Sequence, residues 1–190
     1  MTPAGSRLVL GITGAPGAGK STLAAQIVAS VDDAILLPMD GFHLPQAELV
    51  RLGRRNRMGA PDTFDFHGFV DTLSRVHAGG NSVWAPGFDR ENEEAVPNAI
   101  HIQQKLCTVV VEGNYLLHDE GGWERVAPLL DVTFFVEVDD ETRVSRLIER
   151  HVRFGKTPEA ARVWALGPDE ANARLIERGA ARADYRIRGN

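Results

Sequence analysis

Short apolar runs recur along the chain, each closed by a polar or glycine-rich break. Residues 7–13 (RLVLGIT), 34–39 (AILLPM), 108–111 (TVVV) and 132–138 (VTFFVEV) have strand length and are rich in β-branched residues. They run apolar with little alternation, as expected for strands of a parallel sheet covered on both faces. Pro38 has no amide hydrogen to give a ladder, so the second run should finish at a sheet edge or a loop start. Between the runs the spacing becomes helical. Residues 20–30 place Leu23, Ile27 and Val28 on one face, and residues 66–77, 140–154 and 158 to about 181 read as further helices. Thr157 suits an N-cap ahead of Pro158 in a first turn. Strand and helix in alternation predict an α/β fold, whose ligands bind beyond the carboxyl ends of the strands.

Residues 44–98 break this rhythm. Gly53, Gly59, Pro61, Gly68, Gly79, Gly80, Pro86, Gly87 and Pro97 fall within them, a density of turn formers that predicts an insertion of long loops over the sheet. A chain of 190 residues fits one domain with its own core, here taken as residues 1–190. A formal net charge of −5 argues against general nucleic-acid binding, which shows as a basic surface. A single cysteine, Cys107, excludes an intrachain disulfide framework; it opens an apolar run and is expected to be buried. No apolar stretch approaches the roughly 18 residues that span a bilayer, and no signal peptide is evident, so a cytoplasmic location is expected.

The strand at 7–13 and the helix at 20–30 flank Gly14-Ala15-Pro16-Gly17-Ala18-Gly19-Lys20-Ser21, which matches G-x-x-x-x-G-K-[ST] in the strand–loop–helix context that the motif requires. Glycines let backbone N–H groups turn inward around phosphates, and the helix N-terminus adds positive partial charge. Lys20 is placed to neutralise β and γ oxygens, and the Ser21 hydroxyl to ligate Mg²⁺. Residues Gly14 to Ser21, with Thr22 behind them, are therefore the candidate nucleotide site, and ATP with Mg²⁺ the candidate cofactors. A P-loop alone leaves kinases, GTPases and transport ATPases open. The chain lacks Asn-Lys-x-Asp, Leu-Ser-Gly-Gly-Gln and an apolar strand ending in Asp-Glu.

It has instead Met39-Asp40-Gly41-Phe42-His43 after the second apolar run, Pro61-Asp62-Thr63-Phe64-Asp65 in the insertion, and Val111-Glu112-Gly113-Asn114-Tyr115 after a later run. With residues 83–90 and an arginine-rich helix from Arg143, these segments resemble the uridine kinase, pantothenate kinase and phosphoribulokinase superfamily. The stretches 38–43, 59–65 and 112–117 are most similar to a bacterial branch labelled nucleoside/nucleotide kinase-like, pantothenate kinase-like or fructose-transport-system kinase. The resemblance implies a P-loop NTPase three-layer αβα sandwich with an acceptor-binding insertion and a helical lid at about 140–157. It implies that Asp40 is the base at the acceptor hydroxyl, and that Asp62 and Phe64 line the acceptor pocket. Asp65 is open between that pocket and the N-cap of the next helix. Glu112 ends the most apolar strand, where a carboxylate is costly unless paired or metal-linked, and is assigned to the Mg²⁺ shell or to its water ligands in preference to a structural salt bridge.

Arg143, Arg146, Arg150 and Arg153 are three, four and three residues apart and share one helix face at about 100° per residue. The resembled kinases carry lid arginines here, which assigns Arg146 and Arg150 to the transferring phosphoryl group with Arg153 in reserve. Arg90 is open between pairing a nearby acid and contacting an anionic acceptor. Glu91, Glu93 and Glu94 stand where uridine kinases carry a histidine-containing stretch, which disfavours uridine; these glutamates are open between serving a polyhydroxyl acceptor and being simply solvated. Arg51, Arg54, Arg55 and Arg57 are open between a solvated surface and attraction of an anion. His43 is open between the acceptor and a local hydrogen bond. The six histidines show no zinc spacing, and Trp123 and Trp164 are expected to be core or helix-packing residues.

Together these point to an ATP-dependent kinase acting on an alcohol group of a small metabolite: a sugar, a nucleoside or a pantothenate-like molecule. A nucleotide-regulated switch with weak ATPase activity is the alternative. Neither a nucleic-acid nor a membrane partner is expected, and a homodimer stays open.

Overall fold

The computed structural model describes residues 7–189; residues 1–6, part of the stretch inspected for a leader, and residue 190 lie outside it. Five strands form a parallel sheet: β1 (Leu8–Gly14), β2 (Ala34–Pro38), β5 (Thr108–Glu112), β6 (Val132–Glu137) and β7 (Tyr185–Arg188), in the order β2-β5-β1-β6-β7. Residues of β5 alternate between the two faces. Val109 and Val111 join a large core with Val9, Leu37, Phe69, Leu73 and Trp123, whereas Val110 joins Ile12, Ala18, Ala24 and Val136 on the other side. Helix α1 (Lys20–Ser30) covers that second face and α3 (Phe66–Ala78) the first, giving the three layers that the apolar runs demanded.

Pro38 ends β2, which is an edge strand, and Met39–Phe42 continue as a 3-10 turn. Strands β3 (Val83–Asp89) and β4 (Glu94–Ile102) pair antiparallel as a separate hairpin with a register shift between Ala85 and Gly87. Short helix α2 (Gln46–Arg51) precedes it in the 44–98 segment. Helix α4 (Asp140–Arg153) is capped by Asp139, whose side chain accepts from Thr142 N at 2.8 Å.

The long C-terminal helix expected from 158 to about 181 is two helices. Thr157 caps α5 (Pro158–Leu166), accepting from Ala160 N at 3.2 Å, and α6 (Pro168–Glu177) starts afresh after Gly167. Pro168 lacks an amide hydrogen and its ring excludes a continuing helix, so the chain turns there. Cys107 is exposed, correcting the expectation of burial, because it lies in the turn before β5 and not in the strand. Among the described residues no helix is long and apolar enough to cross a membrane.

Candidate active site

Register brings the chemistry together. Glu112 at the end of β5 stands opposite Ile12 of β1 and Pro38 of β2. The glycine-rich loop begins two residues beyond Ile12 and Asp40 lies two residues beyond Pro38, so both flank Glu112 at the carboxyl edge. Gly17 has φ of +83°, and a Cβ there would lie 2.7 Å from the Arg143 carbonyl oxygen of α4. Only glycine lets the loop take this turn and approach α4 so closely. Lys20 is buried and donates from Nζ to Ala15 O at 3.0 Å.

One cleft of about 300 Å³ is lined by Pro16, Gly17, Gly19, Lys20, Ser21 and Thr22 together with Asp40, Phe64, Arg90, Glu112, Arg146 and Arg150. Gly14, Ala15 and Ala18 complete the loop but do not line this cleft. Ala15 and Ala18 face an adjacent cavity shared with Val138, Asp139 and Gly189.

Asp40 is held by its surroundings. Arg90 Nη2 donates to Asp40 Oδ2 at 2.9 Å, and His43 Nδ1 donates to the Asp40 carbonyl at 2.8 Å. Burial pushes the Asp40 carboxyl up, but His43, Arg90, Lys20 and Arg150 outweigh it and leave it below the ordinary aspartate value. The His43 ring lies 4.1 Å from Phe64 and 4.8 Å from Phe88, and burial lowers its basicity although Asp40 opposes this. The bridge between His43 and Phe64, with Leu44 N donating to Thr63 O at 2.9 Å, fixes Phe64 beside that ring. Burial raises the Glu112 carboxyl and lowers the Lys20 ammonium, each charge opposing the other's displacement.

Gly41 is tied to the hairpin, since a Cβ would overlap the Pro86 carbonyl of β3. Asp40 and Arg90 are thereby carried by two elements in direct backbone contact.

Several residues singled out in the sequence sit elsewhere. Asp62 is outside the cleft, clamped by Arg57 through two hydrogen bonds and by Arg54 Nε at 3.3 Å. Asp65 caps α3, accepting from Gly68 N at 2.9 Å, and does not line the cleft. Arg143 is buried and paired with Asp140 at 2.9 Å and with Glu170, so it braces α4 against α6 instead of sharing the Arg146 and Arg150 surface. Each arginine of the basic loop is paired with an acid: Arg51 with Glu48, Arg54 and Arg57 both with Asp62, Arg55 with Glu93 at 2.6 Å. Trp123 is a core residue as expected, but Trp164 lines the cleft with His151, Lys156, Asp169 and Asn172. Nothing in the local pattern singled these out. The Gly167-Pro168 pair was the one cue that a new helix, and with it a new wall, begins there.

Serine and glutamate oxygens are the hard donors that Mg²⁺ takes, and the Ser21 hydroxyl already stabilises the Glu112 anion. A buried carboxylate whose ionisation is disfavoured fits a cation that would restore it. Among the described residues no cluster of three or more His, Cys, Asp or Glu side chains forms a metal site.

The sequence model of the phosphoribulokinase / uridine kinase family matches residues 9–187. The chain belongs to this family. It is therefore a P-loop kinase by descent, similar to proteins named uridine kinase and pantothenate kinase. It is 33% identical over 176 residues to the uncharacterized protein YggC of Escherichia coli, covering 90% of this chain and 73% of that one. It is 30% identical to a uridine kinase of Clostridium novyi over 77% of this chain and 69% of the relative. A crystal structure from Silicibacter sp. TM1040, described as a candidate fructose transport system kinase, superposes with a TM-score of 0.90 at 36% identity, over 98% of this chain and 93% of the other.

Proposed function

We propose that this protein transfers the γ-phosphoryl group of Mg·ATP to an alcohol group of a small metabolite. The observation that carries this reading is the convergence of Lys20, Asp40, Glu112 and Arg150 on one cleft at the carboxyl edge of the sheet. Backbone N–H groups of Gly17 and Gly19 and the N-terminus of α1 would hold the phosphates, with Lys20 at the γ oxygens. Mg²⁺ would be held by Ser21 and Glu112, and when bound it neutralises charge on the phosphates.

Asp40 would accept a hydrogen bond from the acceptor hydroxyl. As the alcohol oxygen bonds to the γ-phosphorus, the bond to the β–γ bridging oxygen breaks, the alcohol proton passes to Asp40, and ADP departs with the bridging electrons. Because the transition state is loose, the proton moves late and a weakly basic aspartate suffices. Arg90 keeps Asp40 ionised, and Arg146 and Arg150 on α4 would face the charge on the moving group.

The test is ADP production with Mg·ATP against sugars, nucleosides, pantothenate and sugar phosphates, with Asp40→Asn as the blank. A response from one class that the variant lacks supports the reading. ATP binding with no response from any class removes it.

A further inference from the structure

The wall of the cleft formed by the N-terminal half of α6 is built from buried polar groups. Asn172 is 7% exposed, lines the cleft, and its carboxamide makes no hydrogen bond among the described residues. Its amide atoms open onto the cleft, where a ligand's hydroxyls could take the place of water. Gly59 lies beside it: a Cβ there would touch Asn172 Nδ2 at 3.7 Å. Asp169, also 7% exposed, sits one helical turn away and is held from behind, with His151 Nε2 donating to its Oδ2 at 2.7 Å. The face of Trp164 completes the wall, with Lys156 Nζ 5.1 Å from its ring centre.

We propose that Asn172 and Asp169 are the acceptor-recognition residues, and that they read an uncharged, polyhydroxylated molecule of the sugar type. This deepens the kinase reading and rests on it only in calling that molecule the phosphoryl acceptor. A carboxamide donates and accepts, and a carboxylate accepts, which together match adjacent hydroxyls that do both. The aromatic face suits the C–H side of such a molecule. Beside Asn172 the charged group is Asp169, which would repel an anionic end; the cation of this wall, Lys156, lies over Trp164, and Arg55 of the basic loop is paired with Glu93. His151 is a positioning residue: it follows Arg150 on α4 and fixes the Asp169 carboxylate.

The experiment measures binding by saturation-transfer NMR in Mg·ADP and ADP release in Mg·ATP. The neutral probes are D-ribose, D-fructose and uridine; the anionic probes are D-glycerate and ribose 5-phosphate. A neutral probe is expected to bind in preference, and Asn172→Ala to weaken it about tenfold. The KM for ATP is expected to move less than twofold. Asn172→Asp, nearly isosteric, should lose part of the affinity. A deoxy analogue of the preferred probe should bind more weakly to the wild type and show no further loss in Asn172→Ala. Thermal unfolding of both variants controls for folding.

Binding of a neutral probe that depends on Asn172 but yields no ADP upholds the wall and defeats the kinase reading. ADP release that depends on Asp40 but not on Asn172 does the reverse. Preference for an anionic probe, or no binding and no turnover with any probe, overturns the proposal.

Discussion

Arg90 and Asp40, fifty residues apart in sequence, meet through a 2.9 Å hydrogen bond between the β3–β4 hairpin and the turn after β2. The pair ties the proposed base to the element opposite it, and the arginine helps to set its charge. Loss of the arginine therefore has a directional consequence. In Arg90→Gln the Asp40 carboxyl rises, since one of the cations that depress it is gone. Activity needs the ionised form and falls as pH drops through its pKa. The acid limb of kcat/KM should then move to higher pH in the variant. An unmoved acid limb would detach Asp40 from the rate.

Asp40→Asn keeps the size and hydrogen bonding of the side chain but cannot take a proton. Acceptor-dependent ADP release should fall by about 10²–10⁴, while ATP binding followed by calorimetry persists. Turnover within tenfold of the wild type would remove Asp40 from the role of base.

Arg150 lines the cleft beside the glycine-rich loop. Replacing it with Ala should lower kcat by about a hundredfold and raise the KM for ATP far less, because its partner charge is greatest during transfer. Equal effects on both constants would mean ground-state nucleotide binding instead.

Gly17→Ala should cost nucleotide affinity and stability together. The new methyl would meet the Arg143 carbonyl and force a left-handed backbone on an alanine. Thermal unfolding with and without ATP reads both effects, and unchanged affinity would contradict the tight loop described here.

Asp65 offers the opposite test. As an N-cap its loss to Ala should cost about 1 kcal/mol of stability. The acceptor KM should stay put, and a large rise in KM would return Asp65 to the pocket.

The sheet was legible because its strands are unmixed apolar runs, and the phosphate cradle because its spacing is dictated by backbone geometry. Asp40, Glu112, Phe64, Arg146 and Arg150 were legible through motif context, and all line the cleft. Strands β4 and β7 were not, since Pro97 interrupts one and alternating arginines dominate the other. Asp62 misled because an acid in the right motif is also an acid beside Arg54 and Arg57, and the ion pairs won. The acceptor wall escaped notice for a different reason. Asn172 and Asp169 look like ordinary helix residues until the break at Pro168 turns α6 toward the cleft.

Gly41 has no functional group, yet its bare α-carbon is what allows the Pro86 carbonyl to rest on the turn that holds Asp40. A blind screen for inactive mutants would return position 41 alongside position 40. Read without the structure, such a result would credit chemistry to a residue whose whole contribution is the space it leaves empty.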